Sequence, residues 1–161
     1  MTEGKLALYR DLAEQLGALL DGEADRIANA ANMAALVYHG LPDLNWAGLY
    51  FRQGAELVLG PCQGKPACVR IPLGKGVCGT AAARAATVLV PDVHEFPGHI
   101  ACDPVSRSEL VVPLIQGEEV LGVLDLDSPL PARFDELDRD GCEQLVAILL
   151  VHYRKCAHGK V

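Results

Sequence analysis

Residues 45–60, NWAGLYFRQGAELVLG, carry the first decision about the fold. Asn45 to Phe51 and Ala55 to Gly60 are two short runs rich in strand-forming residues, and the glycine-containing turn RQGA joins them as a β-hairpin. Trp46 and Tyr50 are an even number of positions apart, so they share one face of their strand. Aromatic residues on such a face ordinarily belong to a core, but their polar edges also suit the wall of an apolar pocket. Further along, Glu109 to Ile115 and Glu119 to Leu126 alternate around the turn QGE and give a second hairpin. Two hairpins imply a largely antiparallel sheet.

Helical patterns surround these strands. Leucines recur at helical spacing from Leu6 to Leu20, up to Gly22. Asp21 or Glu23 is the expected start of a second helix, alanine-rich, that runs through Tyr38 and stops at Gly40 and Pro42. This pair is expected to cover a sheet face or to pack on a second subunit. Cys68 to Ile71 and Thr87 to Val90 read as short strands on either side of a helix from Val77 to Arg84. Pro91 to Pro104 reads as an irregular loop, and Phe134 to Tyr153 as a closing helix with Asp135 as its cap. The expected architecture is α+β: a largely antiparallel six-stranded sheet covered by helices, in a single domain spanning residues 1–161.

Composition narrows the function. Half of the 161 residues are hydrophobic, enough for a full core, and the formal net charge of −7 argues against a nucleic-acid partner. No apolar run reaches membrane-spanning length, and the acidic N-terminal stretch lacks a signal-peptide layout, so a cytoplasmic location without membrane association is expected. In that compartment the six cysteines are expected to be reduced, catalytic or metal-bound rather than a static disulfide framework.

The chemistry concentrates between Gly60 and Asp103, GPCQGKPACVRIPLGKGVCGTAAARAATVLVPDVHEFPGHIACD. Cys68, Cys78 and Cys102 include no closely spaced pair of the kind structural zinc uses, and His94, His99 and Cys102 match no strong metal signature. No metal is therefore expected. A redox thiol needs a stabilised thiolate, access and a second thiol. Cys102, in a loop near His99, meets the first two conditions best, with Cys68 as a candidate partner. Cys78 stands at a helix start, where the dipole lowers a thiol pKa, but it reads equally well as a packing residue. Cys62, Cys142 and Cys156 read as ordinary cysteines. Asp125 and Asp127 share a strand face, and Glu109 begins the preceding strand. Carboxylates within apolar strands call for a partner, such as a substrate ammonium group or a transferable proton.

The segments GKPACVRIPLGKGVCGTAAA, VPDVHEFPGHIACD, SRSELVVPL and GVLDLDSP resemble the free methionine-(R)-sulfoxide reductase family, which is built on a GAF domain. The resemblance runs from about Asn45 to Phe134. It implies Cys102 as the nucleophile, Cys68 as the resolving cysteine and Cys78 as a further thiol in disulfide exchange. It matches Trp46 and Tyr50 to an aromatic pocket, and Glu109, Asp125 and Asp127 to an acidic substrate-binding set. The implied activity is thiol-dependent reduction of free methionine-(R)-sulfoxide, recycled by thioredoxin, with no cofactor and with homodimer formation plausible for GAF relatives. A noncatalytic GAF sensor or dimerisation module is the alternative.

Overall fold

The computed structural model describes residues 2–100 and 102–156, with side chains in the last helix through Tyr153. Its elements in chain order are α1 (Thr2–Leu20), α2 (Arg26–Gly40), β1 (Trp46–Gln53), β2 (Glu56–Gly64), β3 (Arg70–Pro72), α3 (Gly76–Arg84), β4 (Val88–Val90), a 3-10 turn (Val93–Glu95), β5 (Ser108–Gln116), β6 (Glu119–Ser128) and α4 (Glu136–Cys156). The strands form one six-stranded sheet in the order β3-β2-β1-β6-β5-β4, and every neighbouring pair is antiparallel. Both expected hairpins are present, turning at Gly54 and Gly117 with positive φ, the conformation that glycine adopts without steric cost.

The sheet has two differently used faces. Ala47, Leu49, Leu110, Val112, Leu114, Leu124 and Leu126 point to one side and pack with leucines and alanines of α1, α2 and α4 into the larger core. The helix pair thus covers a sheet face, one of the two expected placements. On the other side Trp46, Tyr50, Val111 and Val123 join Val77, Cys78, Ala81 and Ala82 of α3 in a smaller cluster. Because side chains alternate along a strand, Glu109, Asp125 and Asp127 fall on this second face.

Several boundaries differ from the sequence reading. The N-cap of α2 is Asp25, which accepts from Ala28 N at 2.8 Å, rather than Asp21 or Glu23; Glu23 instead accepts from the backbone N–H groups of Ala24 and Asp25. β2 runs on to Gly64, past Pro61, because a register shift opposite Gly48–Tyr50 takes up the extra residue as a bulge. β3 begins at Arg70, leaving Cys68 in the preceding loop rather than on a strand. Asp135 caps α4 as expected: it accepts from Asp138 N at 3.1 Å while Asp138 accepts from Asp135 N at 2.9 Å.

That reciprocal cap leads to a feature the helical stripe concealed. Asp138 is fully buried and also accepts from Lys5 Nζ at 2.8 Å, Tyr9 OH at 2.8 Å and Arg133 Nη1 at 3.1 Å. It ties α1, α4 and the segment after β6 into one ionic node. Cys142 lies beside this node, 3.8 Å from Tyr9 OH, and burial pushes its thiol up to about 12.

Candidate active site

Two rungs of the sheet build the floor of a cavity. Across β1, β6 and β5, Trp46 pairs with Asp127 and Asp127 with Glu109; the next rung on this face is Gly48, Asp125 and Val111. Register alone therefore gathers the three acids. Gly48 is needed there: a Cβ would lie 2.5 Å from both the Cys62 Cβ and the far edge of the Trp46 ring. Its bareness lets that ring fold over the strand, 6.0 Å from Tyr50 between centroids.

The aromatic pair also holds the roof. Trp46 Nε1 donates to Lys65 O at 3.0 Å, and Tyr50 OH donates to Cys68 O at 3.0 Å. These bonds fasten the loop before β3 over the acids. Its Cys68 is disulfide-bonded to Cys102, with the Cα atoms 5.9 Å apart. Cys102 is exposed and Cys68 half-buried, so the bridge sits at the cavity mouth.

Burial governs the electrostatics of the floor. Glu109 and Asp125 are buried, Asp127 is half-buried beside them, and the three crowd one another, so each is pushed upward, Glu109 to about 8. At neutral pH Glu109 accordingly keeps its proton. The Asp125 side chain is hydrogen-bonded within this group, to Glu109 and to Cys78. Cys78 Sγ donates toward Glu109 Oε1 at 3.9 Å. Burial first, and then the charges of Asp125 and Glu109, raise the Cys78 thiol well above its ordinary value. The helix-start dipole does not govern this cysteine, because carboxyl groups lie directly beneath it.

All eight residues singled out in the sequence line one cavity or its mouth, Cys68 through its bond to Cys102. His94 does not join them: it is exposed and pairs with Asp92 at 3.0 Å. His99 does, with Nε2 3.7 Å from Glu109 Oε2, and burial lowers its pKa, which leaves a neutral imidazole rather than a cation beside a thiolate. Cys62 is half-buried under Trp46, Cys142 is buried in the opposite core, and the side chain of Cys156 lies outside the described residues.

Asn45, read from the sequence only as the start of a strand, braces the cysteine loop. Its Nδ2 donates to Ser106 Oγ at 2.9 Å and to Asp103 Oδ2 at 3.2 Å, while its backbone N–H donates to Asp127 O at 3.0 Å. One residue thereby links the neighbour of Cys102 to the acid-bearing strand.

The GAF domain model matches residues 7–151. The free methionine-R-sulfoxide reductase of Escherichia coli is 52% identical over 145 residues, which cover 90% of this chain and 88% of that protein. This chain belongs to the free methionine-(R)-sulfoxide reductase family. The Neisseria meningitidis member, solved with its substrate, superposes with a TM-score of 0.91 at 44% identity, covering 94% of this chain and 91% of the other. A Burkholderia vietnamiensis protein described as a GAF sensor gives 0.92 at 58% identity, covering 96% and 99%. Among family members of this kind, the α+β GAF architecture expected from the sequence holds for this chain.

Proposed function

We propose that this protein reduces free methionine-(R)-sulfoxide to methionine. One observation carries the reading: a Cys68–Cys102 bridge stands at the mouth of a cavity floored by the buried Glu109 and Asp125 and the half-buried Asp127. In the reduced enzyme the Cys102 sulfur attacks the sulfoxide sulfur. Glu109, which holds its proton at neutral pH, gives it to the sulfoxide oxygen. Methionine leaves, and the oxygen remains on Cys102 as a sulfenic acid, so the cysteine is oxidised by two electrons as the substrate is reduced. The Cys68 thiol then displaces that oxygen as water and closes the disulfide. A dithiol donor of the thioredoxin type returns two electrons and two protons by thiol exchange.

The substrate's charged end points to the acids. The Asp125 carboxyl, which lines the cavity, suits an ammonium donor, with Asp127 next along the same face. Trp46 and Tyr50 supply an apolar wall for the S-methyl end. Cys78 is a reserve thiol, too strongly protonated to begin the reaction.

The test supplies free methionine sulfoxide, thioredoxin, its reductase and NADPH. Wild type should oxidise NADPH and release methionine, Cys102→Ser should release none, and Cys68→Ser should release about one equivalent and stall. Equal methionine yield from Cys102→Ser and wild type would move the nucleophile elsewhere.

A further inference from the structure

Glu109 gives up its proton where the charge left behind is poorly received. It is buried, and the groups that face it from α3 and β6 are the Cys78 thiol and the carboxyls of Asp125 and Asp127. Burial first, and then the charge of Asp127, work against a carboxylate at this place. Asp125 hydrogen-bonds to Glu109 and supports its charge only while Asp125 itself is protonated. A substrate ammonium that holds Asp125 as a carboxylate ends that donation. The two Glu109 oxygens have different neighbours: Oε1 faces Cys78 Sγ at 3.9 Å, and Oε2 faces His99 Nε2 at 3.7 Å. His99 is the only histidine lining the cavity among the described residues, and the lysine there, Lys65, lies 4.0 Å from Asp103 instead. The loop places the ring. The His99 backbone N–H donates to Phe96 O at 3.2 Å, and the next residue, Ile100, packs on Gly76, where a Cβ would stand 3.1 Å from the Ile100 side chain.

At 3.7 Å the pair is beyond hydrogen-bond range and within ion-pair range, as suits two neutral groups that attract once one of them is charged. We infer that His99 is a positioning residue for the reducing step: its Nε2–H closes on Glu109 Oε2 as the proton leaves and stabilises the carboxylate that forms. Such a contact is weak before proton transfer and strong after it, so it lowers the barrier without tightening substrate binding. The Glu109 proton goes to the sulfoxide oxygen, and His99 keeps its own. The catalytic part of this role rests on the reductase reading above, whereas the pairing of His99 with ionised Glu109 does not.

The experiment compares His99→Leu and His99→Phe, which remove the donor, with His99→Gln, whose side-chain amide donates from nearly the same place. In a single turnover of the reduced enzyme, either donorless variant should release methionine roughly ten-fold to a hundred-fold more slowly, the range that a hydrogen bond to a charged group carries. The half-saturating sulfoxide concentration should change little, and His99→Gln should recover part of the rate. The rate falls as Glu109 loses its proton, so the basic limb of the pH profile reports this carboxyl. Without its donor the carboxylate is less stable, and the limb should move upward by about one unit. A merely loosened loop would admit water to Glu109 and move the limb downward. A wild-type rate in both donorless variants, or a limb that stays or falls, overturns the role; if one of them fails to fold, the other decides. Carboxyl NMR of the reduced protein, with Glu109 assigned through Glu109→Gln, follows the same titration without substrate. Its midpoint should rise in the donorless variants, and an unmoved midpoint overturns the pairing. No methionine from wild type beside such a rise would instead reject the proposed reaction and leave the His99–Glu109 pairing standing.

Discussion

The Tyr50 hydroxyl donates to the Cys68 carbonyl oxygen at 3.0 Å, so an aromatic residue of the pocket wall also fixes the backbone of Cys68, the proposed resolving cysteine. Burial and the nearby acids push this phenol further upward in pKa, so it remains a donor throughout the working pH range.

Tyr50→Phe should therefore separate the two halves of the cycle. The ring still fills the wall, but the Cys68 carbonyl loses its partner, at about 1 kcal/mol of stability. Release of the first methionine should stay near the wild-type rate, while closure of the Cys68–Cys102 bridge slows. Rapid quenching with thiol alkylation reads both steps. Equal slowing of the two would give the hydroxyl a role in binding instead.

Asn45 offers a second separation. Asn45→Ala removes both donations to the Asp103–Ser106 turn, and Asn45→Asp in addition sets a carboxylate against Asp103. The aspartate variant should be the slower of the two, with kcat reduced about ten-fold or more, equivalent to about 1.4 kcal/mol in the barrier. Matching rates for Asn45→Asp and wild type would show that the cysteine loop holds its position without this brace.

The two hairpins and the grouping of acids were legible because strand alternation assigns faces by counting. Once Asp125 and Asp127 are on one strand face, Glu109 needs only the antiparallel register to join them. What counting does not reveal is depth. Cys78 sits at a helix start as read, but its thiol is raised first by burial and then by the carboxyl groups under it, which come from strands 31 or more positions away. Asn45 looked like a strand's first residue because its partners, Asp103 and Ser106, lie in the irregular loop. Asp138 was hidden in an amphipathic stripe, since its partners Lys5 and Tyr9 belong to the other end of the chain.

Removing Asp138 should be far more damaging than its place in a long helix suggests. Asp138→Ala leaves the partly buried Lys5 and Arg133 without their shared carboxylate, and breaking a buried pair in this way typically costs about 3–5 kcal/mol. Urea denaturation should show the loss, and Lys5→Met in the same background should add only the small contribution of its remaining, more exposed pair with Asp135. Full additivity of the two changes would mean that they act independently.

The acidic floor makes stability depend on pH with an unusual sign. Glu109 titrates near 8 in the folded protein against 4.5 ordinarily, so folding takes up a proton between those values. Stability from this group is fully present below about pH 4.5 and is lost as pH rises through about 8. Asp125 and Asp127 are shifted the same way and act in the same direction. The reduced protein should thus unfold more readily at about pH 8 than at about pH 5, by a few kcal/mol, and Glu109→Gln should flatten that slope. A wild-type midpoint that rises across this range, unchanged in slope by Glu109→Gln, would show that the carboxyl is ionised.

The sharpest functional expectation concerns the free amino acid. A methionine sulfoxide within a peptide lacks the ammonium group that the Asp125 and Asp127 face is proposed to receive. Asp125 is only 6% exposed and burial raises its pKa, so it is the ammonium that holds it as a carboxylate, and an acetamide in that place forfeits the buried charge pair. Leaving one partner of a buried charge pair uncompensated costs about 3–5 kcal/mol, or roughly 150-fold to several thousand-fold in kcat/KM. Wild type should accordingly discriminate against N-acetylated methionine-(R)-sulfoxide by at least about two orders of magnitude. Asp125→Asn and Asp127→Asn should lower kcat/KM for the free substrate far more than for the acetylated one, so that the ratio collapses in whichever variant has lost the ammonium partner. Glu109→Gln should instead lower both together, because it removes the proton donor and leaves the ammonium site intact. Turnover of the acetylated compound by wild type at a rate near that of the free amino acid would reject the enclosed ammonium site and favour an enzyme that accepts methionine sulfoxide within peptides.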